Sequence, residues 1–403
     1  MTCVRITHVS DTYLPLLGGI EAQVSRLAGQ QAAAGHEVEV ITTTPAAPGA
    51  HGVSTTVQDG VTVHRIAARI PGGWPVHPRS TAHVTARLRA AIAGGERPDV
   101  VHLHMGVLAP TAQAALGPVT RLGLPAVLTV HSVWGAAWRL FAAADAVVRW
   151  SRLPVRWSAV SELTAEPLRR LVGPGVGADA GAGAGAGAAD VAILPNGLDL
   201  DAWRVPRTER TARPEGSAVH VVSAARFAPR KRMLSLLTAA ADAASRLPAG
   251  ALFVTLAGDG PERAAARRFV TEHGLRDVVS LPGRLTGTEL KRLYARADVF
   301  AAPAVAEAFG LAALEAQAAG LTVVTRAGSG VAERVVDGVT GLVVPDDAAL
   351  TAALVRLATE PGLLDGLLAR AATPPSGVAW PEVLAATERA YEEAAELAAA
   401  RRT

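Results

Sequence analysis

Cysteine is almost absent. Cys3 is the only one in 403 residues, which excludes an internal disulfide framework and any all-cysteine zinc site. Lysine is nearly as scarce: Lys231 and Lys291 apart, the 39 basic residues are all arginine. Aromatic residues make up 4% of the chain, and no uninterrupted apolar run reaches the roughly 18 residues that a membrane-crossing helix needs. A charge of one sign is missing too. There are 39 Lys+Arg against 36 Asp+Glu, divided 15 to 13 before residue 200 and 24 to 23 after it. With no basic tail or face, nucleic acid is not an expected partner. The stretch Val4–Ser10 has the composition of a first strand, not of a charged segment followed by an apolar one. No secretory leader is therefore expected, and the expected location is the cytoplasm.

What is present is hydrophobic bulk: 50% of the residues. At about 150 residues per domain the length suggests two domains. Short apolar runs alternate with longer Ala/Leu/Arg segments of helical period. Strands are expected at 4–9, 37–43, 61–66, 99–103, 126–131, 157–160 and 191–194, then at 218–223, 252–257, 278–281, 298–302, 321–325 and 341–344. Helices are expected between most of them, among others at 20–35, 80–93, 110–122, 232–246, 262–273, 287–296 and 310–319. Such alternation predicts an α/β fold with parallel sheets covered by helices on both faces. The rhythm restarts near residue 217 after a polar stretch with Pro and Arg. The expected division is a first domain 1–203, a linker 204–216, a second domain 217–379 and a C-terminal helix 380–403 crossing back onto the first. Residues 173–189 are Gly/Ala low-complexity sequence that cannot pack a core, and are expected to form a surface loop.

Several strand ends carry chemistry. Glu307 and Glu315 bracket a helix start at Phe309-Gly310-Leu311. Unpaired amides and the partial positive charge of a helix start suit a diphosphate, and Gly310 permits close backbone approach. Both carboxylates can accept hydrogen bonds from sugar hydroxyls. Arg226 and Lys231 follow the first strand of the second domain, the edge at which doubly wound sheets bind ligands. A guanidinium fork and an ammonium point charge there can converge on phosphate; Arg230 and Arg232 are expected to be solvated. Gly258-Asp259-Gly260 and Gly283-Arg284 end strands on the same edge. In the first domain Gly18-Gly19 precedes a helix without the G-x-G-x-x-G spacing of a dinucleotide site. His102 and His104 share one face of a strand, and His131 ends the next. Without a carboxylate or Cys partner at ligand spacing, no metal site is expected from these histidines.

Together these segments resemble the GT-B glycosyltransferases of family 4. Glu307 and Glu315 match that family's E-x7-E motif, and Arg226 and Lys231 match its phosphate-binding pair. Gly18-Gly19 with Gly35-His36-Glu37-Val38, and Pro195-Asn196-Gly197-Leu198-Asp199, match further patterns in the same order. The resemblance spans nearly the whole chain. It implies two doubly wound domains facing each other across a cleft, and retaining transfer from a nucleotide-diphosphate sugar, UDP- or GDP-linked. By the same resemblance Glu307 holds the transferred sugar, Glu315 the ribose, and Arg226 and Lys231 neutralise the diphosphate with the amides of Phe309, Gly310 and Leu311. His131 lies beside the sugar, Gly19 closes over the donor or acceptor from the other domain, Gly283 and Arg284 face the base, and Gly18, Gly258 and Asp259 are further donor-binding residues. No metal or other cofactor is implied.

For the acceptor, the segments around Tyr13, His104 and Trp134 look similar to subunits that glycosylate phosphatidylinositol and to bacterial relatives acting on small cyclitols. Tyr13, His104 and Trp134 are the acceptor residues so implied; the Ala/Arg-rich composition also fits an enzyme that glycosylates a soluble natural-product scaffold. Trp and Arg interleave between Trp138 and Trp157, a pattern suited to peripheral contact with an anionic membrane at its inner face; a plain packed helix has the same composition. Two other functions fit the architecture: a nucleotide-sugar epimerase and a non-catalytic nucleotide-sugar-binding protein.

Overall fold

The computed structural model describes residues 3–68, 76–173, 191–205, 217–371 and 375–401. The Gly/Ala stretch from residue 174 and the expected linker from residue 206 lie outside them. The chain divides into two compact units, Met1–Gly197 with Gly377–Thr403, and Leu198–Ser376.

The first unit holds an eight-stranded sheet: β1 (Arg5–Ser10), β2 (Glu37–Thr42), β3 (Gly52–Gln58), β4 (Val61–Ala67), β5 (Val100–Met105), β6 (Ala126–Val130), β7 (Arg156–Ala159) and β8 (Ala192–Ile193). Their order is β3-β4-β2-β1-β5-β6-β7-β8, parallel throughout except for β3 against β4. The interior strands are buried on both faces, as in Val100–Met105 where all six residues are inaccessible. Helices α1 (Gly19–Ala33), α2 (Ser80–Ala93), α3 (Pro110–Arg121), α4 (Trp138–Val148) and α5 (Glu162–Val172) lie between them along the chain. Strand β3 had no counterpart among the expected strands. Its sequence GVSTTVQ is exposed at every position, so it has no buried face to leave a hydrophobic signature. The available signal was the Asp59-Gly60 turn, where both residues take positive φ (48° and 78°), the geometry of a tight hairpin.

The second unit holds β9 (Val219–Ala224), β10 (Leu252–Ala257), β11 (Val279–Gly283), β12 (Val299–Ala302), β13 (Thr322–Arg326) and β14 (Gly341–Val344). They are ordered β11-β10-β9-β12-β13-β14 and all parallel. Its helices are α6 (Leu200–Trp203), α7 (Met233–Ser245), α8 (Arg263–Glu272), α9 (Gly287–Ala295), α10 (Leu311–Ala318), α11 (Asp347–Thr359) and α12 (Leu363–Ala371). The boundary between the units falls at 197/198, not at 203/204. The reason is packing: the Trp203 ring of α6 meets Tyr294 at a tilt, ring centroids 5.9 Å apart, and joins the core formed by Tyr294, Phe300 and Leu321.

The last helix, α13 (Trp380–Ala400), belongs to the first unit. Trp380 and Val383 pack with Leu27 of α1. Ala390, Tyr391 and Ala394 enter the core with Ile6, Val24, Val127 and Leu194. At Gly197 a Cβ would lie 2.4 Å from the Trp380 ring, so a side chain there would push the helix off. Among the described residues no helix is long and apolar enough to cross a membrane.

Candidate active site

Strand order reverses between β9 and β12 in the second unit. At such a point the loops after the two strands diverge and leave a crevice at the carboxyl edge of the sheet. The loop after β9 carries Arg226 and Lys231, and the loop after β12 carries Glu307. The structure joins the last two: the Lys231 ammonium donates to Glu307 Oε2, each side chain about one-fifth exposed (22% and 21%). Arg226 is exposed, and its side chain makes no ion pair among the described residues. Arg232, expected to be solvated, instead donates to Asp347 at the start of α11. Arg326, from the end of β13, donates to the other oxygen of the same carboxylate. That pair fastens the loop after β9 to the edge of the sheet.

Gly310 is the N-cap of α10 in a left-handed conformation (φ 81°). The amides of Phe309, Gly310 and Leu311 make no backbone hydrogen bond among the described residues, leaving three donors at the positive end of the helix. Glu315 lies one turn further along α10 and is 9% exposed. The amide cluster is held in place from behind. Gly330 donates its N–H to Glu307 O at 2.7 Å, and its Cα approaches so closely that a Cβ would lie 2.0 Å from Ala308 O. Arg334 stacks over the Phe309 ring, Cζ to centroid 4.0 Å, donates to Phe309 O and donates to Gly330 O at 3.1 Å. Burial lowers the Arg334 pKa to about 10, partly offset by Glu333 and Glu307, so it stays a cation at neutral pH. Sequence reasoning did not single out Gly330 or Arg334; Gly328-Ser329-Gly330 after β13, at the same edge, was the signal that pointed to them.

Gly310→Ala tests this geometry. A Cβ would sit 2.3 Å from Val331 Cγ2 in a backbone conformation that side chains disfavour. A loss of about 2 kcal/mol is expected, read as a lowered Tm. An unchanged Tm would mean the loop has room it does not show.

Two expected nucleotide contacts are used in bracing. Gly258 donates its N–H to Gly283 O at 2.7 Å, and Asp259 O accepts from Phe227 N at 2.9 Å. A Cβ on Gly258 would lie 1.9 Å from Ala225 O. These residues hold the loop after β10 flat against the one that carries Arg226. Gly283 takes φ 89°, and Arg284 beside it is exposed.

In the first unit strand order reverses between β1 and β5. Gly18 and Gly19 start α1 exposed at the end of β1, and nothing lies within 4 Å of where a Gly19 Cβ would be. The three residues expected to contact the acceptor have buried side chains. Tyr13, Trp134 and His104 are only 2%, 4% and 2% exposed. Tyr13 packs among Ile6, Val24 and Val40, and Trp134 against Phe141 with ring centroids 4.3 Å apart. The apolar bodies of Tyr13 and Trp134 satisfy the core, which is why these two side chains point inward.

His104 belongs to a buried histidine cluster with His8, His102 and His131. Sequence reasoning passed over His8, though β1 and β5 are adjacent with His8 opposite His102. His8 Nδ1 faces His104 Nε2 at 2.9 Å, and His104 Nδ1 faces His131 Nε2 at 2.9 Å. Burial drives His8 and His131 down to about 4 and His102 and His104 well below their ordinary value. One ring nitrogen each of His8, His102 and His104 lie within 4.8 Å of one another, a spacing that suits a metal. All six ring nitrogens of these three residues already face polar partners, so a metal would have to break that set.

Comparison with known proteins completes the picture. Residues 17–202 match the family described as Glycosyltransferase Family 4, and residues 208–369 match Glycosyl transferases group 1. A glycogen synthase of Mycobacterium tuberculosis (strain ATCC 25618 / H37Rv) is 30% identical over 416 residues, covering 96% of this chain and 94% of the relative. A D-inositol 3-phosphate glycosyltransferase of Frankia alni is 30% identical over 400 residues, covering 94% and 95%. Among solved structures, Anabaena Alr3699/HepE with UDP and glucose superposes with a TM-score of 0.68 at 16% identity, covering 96% of this chain and 98% of that one. Sucrose-phosphate synthase (tll1590) from Thermosynechococcus elongatus gives 0.69 at 21%, covering 97% and 98%. The structural likenesses establish the fold, and the sequence matches establish the kinship: the chain belongs to family 4 of the glycosyltransferases and has the GT-B fold of two parallel-sheet α/β domains.

Proposed function

We propose that this glycosyltransferase moves a hexosyl or N-acetylhexosaminyl group, with retained anomeric configuration, from a UDP- or GDP-linked sugar to a hydroxyl of a small cyclitol or a lipid such as phosphatidylinositol. The observation that carries the reading is the Lys231–Glu307 pair beside three unbonded amides at a topological switch point. A carboxylate and a cation held together suit a substrate with adjacent hydroxyl and phosphate groups. Glu307 accepts from the hydroxyls of the sugar. Lys231, Arg226 and the amides of Phe309, Gly310 and Leu311 meet the charge growing on the departing diphosphate, so the reading calls for no divalent ion. Glu315 takes the ribose, and Gly283 and Arg284 face the base. The leaving phosphate removes the acceptor proton on the face it vacates, which retains configuration without a separate base.

The D-inositol 3-phosphate glycosyltransferases among the relatives support a cyclitol acceptor. The lipid branch has its own support in α4. Leu140, Val147 and Val148 are 74%, 83% and 70% exposed, and Arg139 and Arg149 flank them at the surface. Apolar side chains beside arginines suit an anionic bilayer surface.

A thermal-shift screen of nucleoside diphosphates and their sugars tests the reading. The matching nucleotide at 100 times its Kd is expected to add about 2.7 kcal/mol, a clear rise in Tm. Transfer from the donor so found is then assayed to free inositol and to vesicles of phosphatidylinositol. If no nucleoside diphosphate or nucleotide sugar raises the Tm, the reading falls. Conversion of the donor sugar with no acceptor present would replace it with epimerisation.

A further inference from the structure

A polar chain runs through the interior of the first unit from His131 to the backbone of β6, and its hydrogen bonds fit one direction. At the far end is Leu128 O, which can only accept. Ser158 Oγ donates to it at 3.0 Å. The Ser158 hydroxyl proton is then spent, so Ser158 Oγ must accept from Thr129 Oγ1, 2.7 Å away. Thr129 in turn accepts from His102 Nε2 at 2.7 Å. His102, kept neutral by burial, has only one ring proton, so its Nδ1 accepts from the Tyr391 hydroxyl at 3.0 Å. Tyr391 accepts from Gln31 Nε2 at 2.9 Å, which turns the other end of that amide, Oε1, toward His8 Nε2 at 2.7 Å.

From here the sense passes along the histidines. His8 donates from Nε2, so its Nδ1 accepts from His104 Nε2. His104 Nδ1 then accepts from His131 Nε2. The chain ends on His131 Nδ1, left with a lone pair. That atom is buried and has no hydrogen-bond partner among the described residues, although His131 follows β6 directly at the carboxyl edge of the sheet. A buried acceptor without a donor is destabilising, and a bound hydroxyl removes that cost.

We infer that this one-way chain locks His131 in the Nε2–H tautomer, so that Nδ1 accepts a hydrogen bond from a substrate hydroxyl, and that Gln31 and Tyr391 are positioning residues acting through His8 and His104. The inference rests on the proposed function only in calling that hydroxyl part of the sugar or of its acceptor. The α13 helix gains a role by this route. Through Tyr391 it supplies the link that keeps the Gln31 amide from turning over. A turned amide would donate to His8, reverse both histidine bonds and put a proton on His131 Nδ1.

The test reads tautomers directly. In protein labelled with ¹⁵N-histidine, long-range ¹H–¹⁵N spectra at pH 7.5 distinguish a protonated from a bare ring nitrogen, and His131→Gln identifies the His131 signals by their loss. Without any substrate, His131 is expected to show a protonated Nε2 and a bare Nδ1. A protonated Nδ1, or averaging between the two forms, overturns the inference. So does a zinc-dependent change of the His8, His102 and His104 signals at stoichiometric zinc, which would make the cluster a metal site.

Two variants separate positioning from structure. Gln31→Glu keeps an acceptor toward His8 and is expected to keep the His131 pattern. Gln31→Met has similar bulk and no acceptor; it is expected to let the His131 pattern reverse or average and to lower kcat/KM about tenfold. Equal patterns in both variants overturn the role of Gln31. Should Gln31→Met fail to fold, the wild-type spectrum still decides the tautomer. Because that spectrum needs no donor, a wrong assignment of the reaction leaves it standing, and a wrong tautomer leaves the reaction standing.

Discussion

Lys231→Ala and Glu307→Ala are each expected to lower transfer roughly 100- to 1000-fold, as removal of one preorganised charged partner does elsewhere, with the Tm shifted only slightly. The two side chains hold each other while partly open to solvent, and such a pair contributes only about 1 kcal/mol or less to stability. Under the proposed function the catalytic loss is larger, because each group would meet charge or hydroxyls that matter most in the transition state. Lys231→Ala leaves Glu307 as an uncompensated anion beside the place where a diphosphate anion would lie. Glu307→Ala leaves the ammonium free to move away from its position. Since the two act together, the double variant is expected to lose little more than either single one. Turnover close to that of the wild type in either variant, assayed with the donor found by the thermal-shift screen, would remove both residues from the site.

The second large effect is acid unfolding of the histidine-bearing unit. His8 and His131 are held neutral by burial, with pKa values near 4 against an ordinary 6.5. The folded-state pKa is depressed and the neutral form is the one that folds. Above pH 6.5 neither state takes a proton at these sites, and stability is at its full value. Between pH 6.5 and 4 the unfolded chain binds protons that the folded one refuses, so stability falls as pH falls. Each of the two residues removes about 3 kcal/mol over that window, and His102 and His104 act in the same direction. The sum is comparable with the whole stability of an ordinary domain. Denaturant titrations followed by tryptophan fluorescence suit this test, because Trp134, Trp150 and Trp157 are buried in that unit. The unfolding midpoint is expected to drop steeply between pH 6.5 and 4.5. A midpoint that stays level over this range would show that the histidines are not buried as described.

Much of the fold was legible because, β3 apart, the strands of both sheets pair in parallel and the interior ones are buried on both faces. Their strands stand out as short apolar runs, and the thirteen expected ones all have counterparts within a residue or two of their bounds. Strand β3 escaped because an exposed edge strand carries no such run. The residues proposed to meet the donor could be picked out for a related reason. Strand-turn-helix junctions at one edge of a doubly wound sheet are where ligands bind, and Lys231, Glu307 and Gly310 each sit at one. The burial of Tyr13, His104 and Trp134 was not legible, because it is a question of orientation. Local sequence puts these residues at strand ends and in loops, and says nothing about which way a side chain turns.

The amino-acid sequence by itself determined the alternation of strand and helix, the two-domain plan and the residue types at each strand end, since all three follow from local periodicity and turn chemistry. Only the tertiary structure decided which distant groups meet. It joined Lys231 to Glu307 across 76 positions, set Arg334 behind Phe309, and carried a hydrogen-bonded chain from His131 to Tyr391 in the last helix. The physical reason is that strand order in the sheet and the docking of α13 bring together residues that nothing in their own neighbourhoods relates. A buried polar group must find its partner wherever folding places one.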